Sequence, residues 1–303
     1  MEYQSGAVSP VGSIQEGWDI IKNDYWMYVL MVLVLGVILI VASLILGTIN
    51  NAITSVIAGA LGAATSNSGD VTRASAAILP QVIAQFIGIF TNIIVATLSG
   101  VLFCGIYKSL SRVANGGRAD FADLFSGFEY IQPCFIYAVI MSVVQFVIAI
   151  VILLGFAAVG FSALGLGVAG ILKDGQFDPA VLSGLLMVIL AYAAISIIIG
   201  LVIAALTVFT YPLIAERGLS GVQALILSIK SGLANIGGLI LLLILGGLML
   251  FAGALPCLLG LPFVAPIYIA SLFAAYRRVF GAFGGQQNYN PPPPPNFGNR
   301  PGY

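Results

Sequence analysis

Histidine is absent from this sequence, and charged residues are scarce. Asp, Glu, Lys and Arg make up only 7% of the 303 residues, whereas they make up roughly 25% of an average soluble domain. So few charges cannot give a protein a hydrated surface, and a hydrophobic content of 60% is incompatible with a disordered or collagen-like chain. The 11 basic and 11 acidic residues form no basic cluster, which argues against nucleic acid as the main partner. The composition therefore indicates a polytopic membrane protein.

The missing histidine also limits the chemistry. Histidine is the most common general base near neutral pH and a frequent metal ligand. The three cysteines, Cys104, Cys134 and Cys257, fit no zinc or disulfide spacing. They lie in or beside apolar stretches, where cysteine behaves as a small hydrophobe. No cofactor, metal or catalytic residue is therefore predicted, and the chain is not expected to be an enzyme.

Long stretches without charge predict the membrane spans. Such stretches occur at residues 25–69, 74–107, 130–172, 179–215 and 231–276. Each can hold a helix of about 20 apolar residues, the length that crosses a bilayer, and two prolines divide the last stretch into two spans. We therefore predict an all-α bundle of six transmembrane helices. The predicted spans are residues 25–48, 79–106, 135–157, 181–211, 234–255 and 258–276.

Lysine and arginine are distributed unevenly between the two sides of these six spans. Arg73 and Lys173 lie on one side, and the other nine basic residues lie on the opposite side. Because basic loops stay in the cytoplasm, both termini are predicted to be cytoplasmic; five spans would separate the two most basic ends and are disfavoured. Part of the basic side forms a rim that either fixes the topology or contacts anionic lipid headgroups. The rim residues are Lys108, Arg112, Arg217, Arg277 and Arg278.

A capped amphipathic segment precedes three of the spans. The predicted N-caps are Ser13, Asp120 and Ser220, each followed three residues later by Glu, Asp or Gln. The pattern predicts three short interfacial helices and a pseudo-threefold repeat of helix plus hairpin. The alternative is that any outward-going span simply needs a capped start. The apolar stripes are Ile14, Trp18 and Ile21; Phe121, Phe125 and Phe128; and Val222, Leu225, Ile226 and Ile229.

The two ends of the chain differ in composition from the apolar middle. Residues 1–12 and 284–303 are predicted to be disordered ends of a transmembrane domain at residues 13–283. The C-terminal end contains five consecutive prolines, which favour an extended polyproline II rod. It is either a solubilising tail or a docking segment for a cytoplasmic partner. The outer connections, residues 50–79 and 158–180, are either helical extensions or re-entrant segments.

Three segments carry a resemblance to a known family. They are Gly17-Trp18-Asp19-Ile20-Ile21-Lys22-Asn23, Ala224-Leu225-Ile226-Leu227-Ser228-Ile229-Lys230-Ser231, and Pro262-Phe263-Val264-Ala265-Pro266 followed by Ala275-Tyr276-Arg277-Arg278. Together they resemble a group of uncharacterised bacterial six-span inner-membrane proteins, related to the membrane domain fused to some glycerophosphodiester phosphodiesterases. The similarity covers most of residues 12–280. It implies the fold and a bacterial inner membrane, and it brings no catalytic residues.

The second predicted span carries a polar strip. Gln81, Gln85, Asn92 and Ser99 fall on one face of that helix. They either line a cavity or narrow pathway, or they form hydrogen bonds with neighbouring helices. The fifth span is rich in glycine, which favours either close packing of the bundle or self-association.

The predicted span cores contain no charged residue. Charges inside a membrane usually mark ion pathways and coupled transport, so coupled transport is disfavoured. An intramembrane enzyme would need an Asp pair, a metal site or a Ser/His pair, which the spans do not offer. We therefore expect a non-enzymatic scaffold, assembly subunit or lipid-associating factor, with membrane lipids, a second copy or another protein as partner. The alternative is a passive pore or facilitator for a small neutral or amphiphilic substrate.

Overall fold

A computed structural model describes residues 3–64, 70–174, 179–256 and 258–281. Within these residues the protein consists of helices without β-strands, and six helices are long and apolar enough to cross a membrane. The predicted all-α, six-span membrane fold is confirmed. The helices are α1 (Pro10–Ile21), α2 (Tyr25–Ala64), α3 (Asp70–Ala114), α4 (Asp123–Ser126), α5 (Ile131–Asp174), α6 (Pro179–Thr207), α7 (Thr210–Arg217), α8 (Gly221–Ala234), α9 (Ile236–Ala254) and α10 (Leu261–Phe280), with a 3-10 turn (Gly127–Tyr130) before α5.

The spans form three hairpins, α2–α3, α5–α6 and α9–α10, and the first two are longer than predicted. Helix α2 has 40 residues, α3 has 45 and α5 has 44. At about 1.5 Å per residue, α2 is about 60 Å long, twice the roughly 30 Å thickness of the hydrocarbon core. The described parts of the outer connections that the sequence left open, residues 50–64, 70–79, 158–174 and 179–180, are thus helical extensions of the spans. The third hairpin is short, with helices of 19 and 20 residues.

Three segments lead into the hairpins, and we call them the lead-in segments: α1, α4 with its 3-10 turn, and α8. The first, α1, packs along α10 in the opposite direction. Gly12 lies against Arg278, and Gly17 lies against Ser271. Tyr25, the first residue of α2, donates a hydrogen bond from its hydroxyl to the carbonyl of Phe263 at 2.7 Å. A Cβ atom at Gly17 would lie 2.6 Å from the Ser271 nitrogen, so the two backbones approach closely only because this residue is glycine.

The other two lead-in segments pack in the same way on the hairpin that precedes them. The 3-10 turn packs on α3, where a Cβ atom at Gly127 would overlap the carbonyl of Val101. Helix α8 packs on α6, where a Cβ atom at Gly232 would lie 2.8 Å from the carbonyl oxygen of Ala205. Each lead-in segment thus lies on the second helix of the previous hairpin, and α1 closes the cycle on α10. This cyclic arrangement supports the pseudo-threefold repeat.

The lead-in segments approach the bundle most closely through small residues. Helix α1 buries Ser13 and Gly17, and α8 buries Ala224. Apolar burial gives little drive between helices in lipid, so close approach through small residues helps to decide which face packs. The predicted apolar stripes lie only partly on the packed side: Ile21 and Leu225 are buried, three stripe residues are half-buried and five are exposed. The exposed bulky residues are Trp18, Phe125, Phe128, Val222 and Ile226.

One of the three predicted N-caps is confirmed. The Ser220 side chain accepts a hydrogen bond from the backbone N–H of Gln223 at 3.4 Å. Ser13 was the wrong choice for α1: it is buried inside the helix, which begins at Pro10, because proline at the first helical position needs no backbone donor. The Asp120 carboxylate accepts a hydrogen bond from the backbone N–H of Ala122 at 3.0 Å. This bond closes the turn before the short helix α4, so Asp120 is not the N-cap of that helix.

The segment before α1 is hydrogen-bonded to the bundle from residue 4 onward, which corrects the predicted disorder for the described part of residues 1–12; residues 1 and 2 and the predicted C-terminal tail lie outside the described residues. The Gln4 amide donates to the Val279 carbonyl at 2.9 Å, and the Ala7 amide donates to the Asn235 side chain at 2.9 Å. The Asn235 carboxamide also donates to the Gln4 carbonyl at 2.9 Å. This asparagine, buried between α8 and α9, satisfies backbone groups that the sequence pattern left without partners.

The buried core lies where the second helices of the three hairpins meet. Helix α3 meets α10 through Tyr107 and Phe273, whose ring centroids are 6.2 Å apart. Helix α10 meets the start of α7 through Tyr276 and Phe209, also 6.2 Å apart. Helix α7 returns to α3, where Tyr211 stacks on a phenylalanine ring. In the most apolar 18-residue stretch of α10, 61% of the residues are buried. The corresponding values for the two spans of the second hairpin are 11% and 0%, so this hairpin exposes most of its length.

Glycines of the fifth span divide into packed and open positions. Gly246 contacts the ring of Tyr268, and Gly253 contacts the turn before α10. A Cβ atom at Gly237 or Gly247, in contrast, would have no neighbour within 4 Å among the described residues. Close packing of the bundle accounts for the first two glycines, while self-association through the open positions stays a prediction.

Candidate functional site

Two residues of the predicted basic rim form ion pairs next to the second lead-in segment. Arg112 lies 2.7 Å from the carboxylate of Asp123, which is buried beneath α3. Lys108 lies 2.9 Å from the carboxylate of Glu129, which is exposed. Both cations thus join the end of α3 to the segment that follows it, a local role that the sequence did not predict.

The other rim residues lie near the end of α10. Arg217 donates to the carbonyl of Phe280 at 2.8 Å, and Arg278 donates to the carboxylate of Glu16 at 2.8 Å. Among the described residues, Arg277 has no side-chain partner. The rim therefore holds helix ends together, and its predicted contact with anionic lipid headgroups stays a prediction.

The predicted polar strip lies on the surface of α3. Gln85 and Asn92 are exposed and Ser99 is half-buried, whereas the side chain of Gln81 lies outside the described residues. Three cavities in the described part of the chain are lined by other residues. The use of this strip as the wall of a pathway stays a prediction.

A cavity of about 490 Å³ opens between the two helices of the second hairpin. Helix α5 supplies one wall, from Tyr137 to Ile152, and α6 with α7 supplies the other, from Ser196 to Tyr211. The α5 wall advances by 15 residues from its first to its last lining residue, or about 22 Å at about 1.5 Å per residue. The opposite wall runs along α6 and continues into α7. The lining residues recur at helical spacing, so one continuous face of each helix faces the cavity.

Neutral polar groups interrupt the apolar walls of this cavity. Tyr137, Thr207 and Tyr211 lie at the end near the core, Gln145 lies midway, and Ser196 lies at the outer end. Every lining residue is uncharged. Hydroxyl and carboxamide groups bind ligands through hydrogen bonds, and apolar walls accommodate hydrocarbon. The arrangement can therefore hold an uncharged molecule that has both polar and apolar parts.

The sequence contained a weak signal for this cavity. Gln145 is the one Asn or Gln within the predicted spans 135–157 and 181–211, and an isolated carboxamide in an apolar helix needs a hydrogen-bonding partner. Thr207 and Ser196 lie eleven residues apart, three turns of one helix, and so share a face. The sequence does not indicate which face of α5 packs against which face of α6.

Two of the three cysteines meet between α3 and α5. The sulfur atoms of Cys104 and Cys134 lie 3.6 Å apart, and both thiols are free and buried. Their burial in the core agrees with the predicted role as small hydrophobic residues, although their mutual contact was not predicted. Cys257 lies outside the described residues.

Comparison with protein-family models, curated proteins and solved structures gives no match to this chain. The resemblance to six-span bacterial inner-membrane proteins therefore stays a prediction. Function must be argued from the cavity and from the surfaces that the fold presents to the membrane.

Proposed function

We propose that this protein is a non-enzymatic, lipid-associating membrane protein that holds an uncharged amphiphile between α5 and α6. The observation that carries this proposal is the 490 Å³ cavity with neutral polar groups spaced along apolar walls. Ligand sites are typically apolar clefts with a small number of placed polar groups, and this cavity has that composition. Because the cavity lies between two membrane-spanning helices, the molecules most available to it are lipids.

The polar groups define the orientation of the ligand. Tyr137 and Thr207 form the polar end of the cavity near the core. The Thr207 hydroxyl donates to the carbonyl of Ile203 at 2.8 Å, so its oxygen is left to accept a hydrogen bond from a lipid hydroxyl. From there the walls carry mostly Ile and Ala toward Ile152, which suits a hydrocarbon chain. A charged headgroup is disfavoured inside, since no lining side chain would neutralise it.

The membrane and the orientation are part of the same proposal. A bacterial inner membrane is supported by the family resemblance, and cytoplasmic termini are supported by nine basic residues on one side against two on the other. In this orientation the polar end of the cavity lies in the cytoplasmic half of the bilayer.

A second candidate function is passive movement of the same class of molecule. The α5 wall of the cavity extends over about 22 Å, most of the roughly 30 Å hydrocarbon core. A ligand held along this length needs a short further movement to leave on the other side. This is the feature that favours a facilitator.

Filling the cavity tests the proposal. Gly200 lines it, and a Cβ atom there has no neighbour within 4 Å, so Gly200→Phe occupies the space without a clash at its Cβ atom. Gly47→Phe on α2 is the matched control, since Gly47 is equally open but outside the cavity. Wild type and both variants are purified in a mild detergent, and native mass spectrometry counts the lipids that remain bound.

We expect wild type and Gly47→Phe to retain the same uncharged lipid and Gly200→Phe to lose it. Equal retention by all three proteins contradicts the proposal. Flux of an uncharged amphiphile into liposomes that Gly200→Phe abolishes would favour the facilitator. A protein partner that co-purifies in place of lipid would favour the scaffold.

A further inference from the structure

A second groove runs between α3 and the start of the second hairpin. Four residues of α3 form one wall at positions i, i+3, i+4 and i+7, and four residues from the 3-10 turn into α5 form the other wall with the same spacing. This spacing makes each wall a single helical face about 10 Å long. The residues are Ile94, Thr97, Leu98 and Val101 on α3, and Phe128, Ile131, Gln132 and Phe135 opposite.

The groove is apolar and opens on the outside of the bundle. Its volume is about 460 Å³, and Ile94 and Phe135 on opposite walls are about half exposed. Thr97 adds little polarity, because its hydroxyl donates to the carbonyl of Ile93 in its own helix at 2.7 Å. On a membrane-spanning surface such a groove contacts lipid, and its shape and polarity suit an acyl chain.

A cation marks one end of the groove. Lys108 follows Val101 by seven residues, two helical turns, and so continues the same face of α3. Its ammonium lies 2.9 Å from Glu129, the residue next to Phe128 of the groove wall. It also lies 5.8 Å from the centre of the Tyr130 ring. The ammonium has three N–H donors, and Glu129 is largely exposed, so donors remain for a second anion.

We infer that this groove binds one anionic phospholipid, with an acyl chain between α3 and α5 and the phosphate at Lys108. The chain gives the groove an apolar occupant, and the phosphate gives the cation a strong acceptor at the depth where headgroups lie. This site differs from the cavity between α5 and α6, which is lined by other, uncharged residues. Binding of a lipid in this groove can therefore be tested independently of the proposed function.

Lipid titration of the full chain tests the inference. Delipidated protein in detergent is mixed with phosphatidylglycerol or with phosphatidylcholine, and native mass spectrometry measures the bound fraction. Lys108→Gln removes the charge, and Ile94→Trp fills the groove from an exposed position. The controls are Lys22→Gln, at another exposed ion pair, and Ile45→Trp, which is 54% exposed on α2 against 53% for Ile94.

The expected pattern separates charge from shape. One basic residue at the membrane surface contributes about a fivefold preference for anionic lipid, so Lys108→Gln should lose about fivefold in phosphatidylglycerol affinity. The loss should be smaller for phosphatidylcholine, whose choline cation balances the charge of its phosphate. Ile94→Trp should weaken both lipids, and the two controls should match wild type. Glu129→Gln should strengthen phosphatidylglycerol binding, since it removes the competing anion.

Three results would overturn the inference. The first is wild-type affinity in Lys108→Gln, and the second is an equal loss in Lys22→Gln, which would indicate a general effect of surface charge. The third is a loss in Glu129→Gln as large as that in Lys108→Gln, because a break in local structure would then explain both.

Discussion

Gly17→Ala should loosen the contact between α1 and α10 that closes the cycle of lead-in segments. A Cβ atom at position 17 would lie 2.6 Å from the Ser271 nitrogen and 2.7 Å from the carbonyl carbon of Ala270. Non-bonded heavy atoms pack at about 3.5–4.0 Å, so the two helices must separate by about 1 Å. The opposing atoms belong to the backbone, and therefore no change of rotamer can relieve the overlap.

The steric cost of Gly17→Ala can be isolated by comparison with a matched substitution. Overpacking of this kind costs roughly 1–3 kcal/mol. Alanine also gains up to about 1 kcal/mol over glycine in a helix. Gly36→Ala on α2 receives the same gain without a clash, because its Cβ atom has no neighbour within 4 Å. The difference between the two variants is therefore the steric cost alone.

Thermal unfolding in detergent, followed by size-exclusion chromatography, measures that difference. Each kcal/mol shifts the midpoint of a chain of this size by about 2–4 °C, so Gly17→Ala should unfold roughly 2–12 °C below Gly36→Ala. Equal midpoints would refute the close backbone contact. They would also remove the physical basis for glycine as the residue that joins each lead-in segment to the previous hairpin.

Three further predictions follow from the ion pairs, the thiols and the topology. Arg112→Gln leaves the buried Asp123 carboxylate without its cation and should lower the free energy of unfolding by roughly 2 kcal/mol, less than for a fully buried pair because Arg112 is half-exposed. Lys22→Gln, at an exposed ion pair, should lower it by about 0–1 kcal/mol. Equal unfolding midpoints of the two variants would contradict this prediction. In a Cys257→Ala background, maleimide should label Cys104 and Cys134 only after SDS unfolds the protein, and rapid labelling of the folded protein would be inconsistent with their burial. A C-terminal reporter enzyme that works only outside the cytoplasm should stay inactive, and activity would reverse the proposed orientation.

The number of spans and the start of the first could be predicted, because the charged residues stop directly before the first apolar run. Helix α2 starts at Tyr25, directly after an aspartate, as predicted. The outer ends could not be predicted, because residues 49–64 carry Asn and Thr as a loop would but contain neither proline nor charge. Once a helix has formed, adding each residue is favourable, so it continues to Ala64.

The packing of the lead-in segments and the cavity depended on information that a single helix does not hold. Helical periodicity predicted the apolar stripe that contains Trp18, but it did not predict that the closest approach to α10 is made by Gly17. Likewise, Gln145 and Ser196 each stand out within their own helix, yet the pattern does not say that α5 and α6 bring them to the same cavity. The strip around Asn92, which did stand out, lies exposed on α3.

An electron cryo-microscopy map of the full chain in lipid nanodiscs would test the proposed lipid association most directly. We predict elongated density between α5 and α6, with its polar end beside Tyr137 and Thr207 and its apolar end toward Ile152. In Gly200→Phe the phenylalanine ring should replace that density. A cavity closed by contact of α5 with α6, or one without lipid density in the wild type, would contradict the account.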